Sequence, residues 1–320
     1  MATLGSLYPA RPVAGTTAQR VVSPVDLLNL QCGDTRATIA PAAGGRLLQL
    51  ELHDLDGAWL PLLVAPDDPR QAVHEPTRWG AFAMVPWPNR IAGGAFIFEG
   101  NRVELPTNRE GNAIHGIGLD RAWTVEEATA SACRLSLSFD TRWPFGGRAL
   151  QSFAVHDDGI DLQIEIHADA AAFPAGAGWH PWFHRDVRPG ADPRVLVDAD
   201  QFYQLESNIP TGVLLPVGGE ADVRAYPALG DRRLDTCYRD PRGAMNVRWG
   251  DIELRMASSE NVRHAIVYTP ERAVCVEPQT CAIDAFNLDA RRLFDAGTVI
   301  VEPGHPLVVS TSWRWSRASD

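Results

Sequence analysis

Hydrophobic and polar residues alternate with a period of two along much of this chain. In "CRLSLSF" the residues Cys133, Leu135, Leu137 and Phe139 fall on one face, and Arg134, Ser136 and Ser138 on the other. "IDLQIEIH" sets Ile160, Leu162, Ile164 and Ile166 against Asp161, Gln163, Glu165 and His167. "LLQLEL" (47–52) and "LVVSTSWRW" (307–315) behave the same way. Successive side chains of a strand point to opposite faces, so this alternation predicts half-buried strands. Turn residues interrupt it at short intervals. "AFIFEGNRVEL" (95–105) predicts a hairpin around Glu99-Gly100-Asn101, and "NVRWGDIELRM" (246–256) another around Gly250-Asp251. "HDDGIDL" (156–162) joins the strand near Phe153 to the one beginning at Ile160. A single short helix is expected over "LDARRLFDAG" (288–297), stopping at Gly297. The proline-rich stretch 59–80 reads as an irregular loop. Neither a β–α alternation nor a repeat of fixed period is visible. The expected fold class is all-β, a sandwich or barrel, forming one domain over residues 21–320 behind a loose arm at residues 1–20.

Composition narrows the function. With 320 residues, 45% of them hydrophobic, the chain can bury a large core. A formal charge of −11 argues against a nucleic-acid partner. It also argues against a highly anionic substrate, unless a local arginine cluster overrides it. No run reaches the roughly 18 apolar residues of a membrane span, and the first twenty residues lack the apolar core of a signal peptide. Cys32, Cys133, Cys237, Cys275 and Cys281 are odd in number and scattered, without a C-x-x-C pair. That pattern predicts no disulfide framework and no cysteine zinc site, and it fits a cytoplasmic protein.

Four segments break the strand pattern. "MVPWPNRIAGG" (84–94) is held extended by its prolines and delivers Arg90, a rigid fork of donors for hydroxyls or a carboxylate. "GNAIHGIGLDRAW" (111–123) carries His115 among glycines that let the backbone approach a ligand. "AGWHPWFHRD" (177–186) places His180 before a proline, which keeps it extended, with Trp179 and Pro181 on the opposite face. His180 and His184 would stand about 13 Å apart on a strand, which speaks against a shared metal ion. In "AVCVEPQTCAIDAFN" (273–287), Ala273, Cys275 and Glu277 share one face. A carboxylate emerging from so apolar a strand is desolvated, which raises its pKa towards the range of a general base. Taken singly, each residue also fits a bland role: a core histidine, a surface arginine, a strand-end glutamate in a salt bridge.

Together, "PWPNRIAGG", "NAIHG", "GWHPWF", "LDTCY" and "VEPQT…DAFN" resemble, in order and spacing, the aldose 1-epimerase (galactose mutarotase) family over about residues 35–315. The resemblance implies a large antiparallel β-supersandwich with a sugar site in a cleft, acting without cofactor or metal. It implies Glu277 as general base and His180 as general acid, set on opposite sides of the sugar's C1–O5 unit. It implies a second histidine, His115, near the ring oxygen, and Arg90 and Asp235 on ring hydroxyls. Gln279 is a further candidate for that job. Trp182, where many relatives carry tyrosine, is expected to touch the sugar. The implied reaction interconverts α and β anomers of a hexose by ring opening and reclosure, in a monomer or homodimer with a small sugar as its partner. Arg142, Arg148, Arg185 and Arg188 are candidates for holding a phosphorylated or otherwise anionic sugar. A non-catalytic carbohydrate-binding protein and a glycoside hydrolase using Asp235 and Glu277 are the rival readings; the hydrolase needs two carboxyl groups about 5–10 Å apart.

Overall fold

A computed structural model describes residues 26–317. The expected loose arm at residues 1–20 lies outside the described residues. Two large antiparallel sheets face one another. The larger has 12 strands, and its path runs through Arg46–His53, Ala81–Met84, Gly178–Pro181, Ala273–Gln279, His264–Tyr268 and Asp235–Arg239. The smaller has 8 strands, with Gly159–His167 and Leu307–Arg317 at its centre. Among the described residues, no helix is long and apolar enough to cross a membrane.

The alternation read from the sequence becomes the packing between the sheets. Leu135, Phe153, Leu162, Ile164, Val309 and Trp313 of the smaller sheet meet Leu50, Leu52, Ala83, Trp179, Val274 and Val276 of the larger in one apolar cluster. Because strand residues alternate, the neighbours of those core residues point out of the other face of the larger sheet. Phe82, His180, Cys275 and Glu277 therefore share an outward face, and the cleft forms there.

The predicted hairpins are present, Ala95–Phe98 with Asn101–Glu104 and Arg242–Trp249 with Ile252–Ser258. So is the turn joining Arg148–His156 to Gly159–His167. The helix differs. It spans Ala285–Ala290 and not 288–297. Asp284 precedes its first turn, its carboxylate accepting from Asn287 Nδ2 at 2.6 Å and from the Ala92 amide at 2.9 Å. The chain after the helix folds back over Asp289, which takes the amides of Ala296 at 2.6 Å and Thr298 at 3.1 Å. Those bonds divert the backbone from a further helical turn. Stretch 59–80 is also more ordered than expected, holding the strand Trp59–Pro61 and a short helix, Gln71–His74. The five cysteines are free, four of them buried.

Candidate active site

The register of the larger sheet builds the floor of the cleft. Gly178 pairs with Gln279, so two residues further along the antiparallel ladder His180 lies opposite Glu277. His180 in turn pairs with Phe82, and Glu277 with Ile266. The result is a close contact, His180 Nε2 to Glu277 Oε1 at 3.3 Å, with both side chains buried. The pair stands side by side on one floor of the same cleft.

Rings fix the imidazole. Phe82 stacks with His180 at 4.9 Å, Trp182 stacks with it at 5.2 Å with planes 9° apart, and His115 meets it edge-on at 5.1 Å. Burial drives His180 down to about 3 and holds His115 well below the usual histidine value, so both are neutral at pH 7. Burial, with the Asp235 carboxylate nearby, pushes the Glu277 carboxyl well above its ordinary range. Both shifts disfavour the charged form of the side chain concerned.

A separate two-stranded ribbon supplies the wall. Arg90 pairs with Ile114 and Ile91 with Ala113, which joins "PNRI" to "NAIHG". Asn89 and His115 both adopt left-handed backbone, φ 50° and 62°, and the His115 amide donates to the Asn89 carbonyl at 2.8 Å. Non-glycine residues rarely hold that conformation, so its cost is borne where the ribbon turns into the cleft. Gly116 must be glycine, because a Cβ there would lie 1.9 Å from the Val85 carbonyl oxygen. Asp284 explains the "DAFN" motif without touching the cleft: its amide donates to the Arg90 carbonyl at 2.7 Å and so ties down the ribbon.

The cleft encloses about 390 Å³. Of the expected residues, Arg90, His115, His180, Trp182, Asp235 and Glu277 line it. Gln279 does not. It sits one ladder step behind and donates to Glu277 Oε2 at 3.0 Å, so it orients the carboxylate. Asp235 opens onto the mouth, where desolvation by the surrounding wall raises its carboxyl. Arg90 reaches Asn89 Oδ1 at 3.3 Å and Glu110 Oε2 at 3.4 Å.

The expected cations for an anionic sugar are elsewhere. Arg142 pairs with Asp120 and Asp140, Arg148 with Asp169, Arg185 with Asp192, and Arg188 with Asp54 and Asp251. The arginines that line the cleft besides Arg90 are Arg78 and Arg109, both missed from sequence. His184 faces a second cavity with Arg185 and Asp192, so it is parted from His180 as the strand spacing implied.

Arg46 was also missed, and it underlies the site. It is fully buried, and among the described residues it has no carboxylate partner. Its guanidinium donates to the carbonyls of Ala43, Pro76, Arg78, Trp79 and Leu119. It also lies 5.4 Å from the Phe82 ring centre, beneath the His180 stack. It thus holds the loop that carries Thr77 and Arg78 against the cleft. Arg46→Met is expected to destabilise the protein by at least about 1–3 kcal/mol, because several buried carbonyls lose their donor. Arg46→Lys should not restore stability, since a single ammonium cannot span five acceptors. Urea unfolding of the two variants checks this, and wild-type stability in Arg46→Lys would contradict it.

The aldose 1-epimerase family model matches residues 26–313. The chain belongs to the aldose 1-epimerase family. This epimerase-family chain is 25% identical over 277 residues to the uncharacterized protein YihR of Escherichia coli K12, covering 81% of this chain and 85% of that one. It is 33% identical over 156 residues to the galactose mutarotase of Mus musculus, 46% of each chain. Among solved structures, a galactose mutarotase-like protein from Clostridium acetobutylicum superposes with a TM-score of 0.82 at 18% identity, covering 91% of this chain and 95% of that one. The fold is thus galactose mutarotase-like.

Proposed function

We propose that this protein is an aldose 1-epimerase that interconverts the α and β anomers of a hexose. The observation that carries the reading is the 3.3 Å contact between Glu277 Oε1 and His180 Nε2 on the cleft floor. The hydroxyl oxygen and the ring oxygen of a hemiacetal sit on one carbon, closer together than these two atoms. A sugar lying over the floor therefore presents one oxygen to each. Glu277 takes the proton of the C1 hydroxyl and His180 gives one to the ring oxygen, which opens the ring to the aldehyde. Rotation about C1–C2 and reclosure with the transfers reversed yields the other anomer.

The proton count favours this couple. Neutral His180 beside protonated Glu277 holds one proton, and so does imidazolium beside carboxylate. Shifting that proton within the couple creates the acid and the base together, without exchange with solvent. In this reading Arg90, His115 and Asp235 hold hydroxyls, and the Trp182 ring is an apolar platform for sugar C–H groups; all four line the cleft, which supports it.

Polarimetry on freshly dissolved α-galactose or α-glucose tests the proposal. The rotation should relax faster in proportion to added protein, and a rate equal to buffer alone would overturn the reading. Release of reducing sugar from a disaccharide would favour the hydrolase instead. Arg78 and Arg109 at the cleft support a second reading, a hexose with an anionic group. In the same assay, a higher kcat/KM for 6-phosphorylated or 6-sulfonated hexose than for neutral hexose decides for it.

A further inference from the structure

Cys275 stands beside the acid–base couple but has no part in it. It precedes Glu277 by two residues on the same strand and so shares its face. The register that sets His180 opposite Glu277 puts Cys275 on the diagonal from His180. As a result, a ring nitrogen of His180, the sulfur of Cys275 and a carboxylate oxygen of Glu277 all lie within 4.8 Å of one another, each on a buried side chain. Two ligand atoms on a tetrahedral zinc ion, with bonds of about 2.0–2.1 Å, stand roughly 3.3 Å apart. His180 Nε2 and Glu277 Oε1 already have that separation, at 3.3 Å.

We propose that His180, Cys275 and Glu277 form an inhibitory site for a thiophilic divalent cation, with Zn²⁺ as the best fit. Imidazole, thiolate and carboxylate are the three zinc ligand types, and the sulfur selects against magnesium and calcium. A thiolate and a carboxylate together cancel the charge of a dication, which removes the main objection to burying one. The lone pair of neutral His180 completes three ligands. On binding, the protons of the thiol and the carboxyl leave to water through the cleft. His180 and Glu277 line the cleft, which gives the ion and its water a route in. The ion occupies the nitrogen and the oxygen that the proposed ring opening uses, so it blocks turnover. Binding of the ion does not rest on the proposed activity; inhibition does.

The test uses the full-length protein stripped with EDTA and desalted. Co²⁺, titrated as a spectroscopic stand-in for Zn²⁺, should give the intense near-ultraviolet band of a cobalt–thiolate bond, and Cys275→Ala should abolish it. Zn²⁺ should slow mutarotation by the wild type, with EDTA restoring the rate. Cys275→Ala should keep the metal-free rate. It should also need about 10-fold more Zn²⁺ or beyond for equal inhibition, since loss of a direct ligand exceeds what outer-shell changes cost. Cys275→Ser, closer in volume, serves if the alanine variant folds poorly. A missing cobalt–thiolate band, or equal zinc sensitivity with and without the thiol, overturns the site. A band that appears in a protein without mutarotase activity would uphold the site and reject the proposed function.

Discussion

Glu277→Gln is expected to lose about 10²–10⁴-fold in kcat while becoming more stable, not less. The amide keeps the shape of the side chain and can still hydrogen-bond Gln279, which now donates to Glu277 Oε2 at 3.0 Å. What disappears is the capacity to accept a proton. The gain in stability follows from the raised pKa. The folded state holds the Glu277 proton more tightly than the unfolded chain does, so ionising this buried group weakens the fold as pH rises above the ordinary carboxyl value. Glutamine never ionises. The melting temperature of the variant should therefore exceed that of the wild type at pH 7–8, and the gap should close near pH 4, where the unfolded carboxyl is also protonated. Polarimetry and thermal melts on the same samples measure both effects. A variant that kept its turnover, or lost turnover by melting early, would remove Glu277 from the role of base.

His180→Asn should cost a similar factor, about 10²–10⁴ in kcat, and should also reverse the pH profile. The wild-type couple is competent while it holds one proton. Below neutrality a second proton is resisted, because burial holds His180 down to about 3. Above the raised value of Glu277 the last proton leaves. In EDTA-containing buffer, wild-type kcat/KM should therefore stay level through mildly acidic pH and fall on the alkaline side. Without the imidazole, Glu277 works alone and only as carboxylate, so the residual activity should climb with pH through the same range. His115, Asp235, Arg90 and Arg109 face the couple and shift its titration, but they do not reverse the direction. A residual profile that falls in parallel with the wild type would mean that His180 is not the acid.

Much of this was legible in the sequence because period-two alternation is a direct record of which face is buried. It predicted that Val274 and Val276 oppose Cys275 and Glu277, and that Trp179 opposes His180; Val274, Val276 and Trp179 pack in the core. Glycine punctuation located the hairpins. Other features leave no periodic trace. Arg78 and Arg109 sit in loops, where an arginine that lines a cleft looks like any solvated one. Arg46 gives no signal in the sequence, yet it is buried because five carbonyls converge on it, four of them at least 30 residues away. The helix was misplaced because its start depends on Asp284 bonding Ala92, a partner 192 residues away. A residue just before glycine, as in Trp79-Gly80 and His115-Gly116, is a local mark of left-handed backbone.

The floor of the cleft belongs to paired strands, while Arg78, Arg109 and Asn208 stand on connections outside the ladders. A slip of a single residue in the ladder would swing His180 and Glu277 inward together, so the proton chemistry resists drift. The side chains on the connections carry no such penalty, even where Arg46 holds the backbone beneath them. Under the proposed function, a lineage built on this frame is free to trade one sugar for another by exchanging side chains on three short loops, and a laboratory seeking new specificity should begin there.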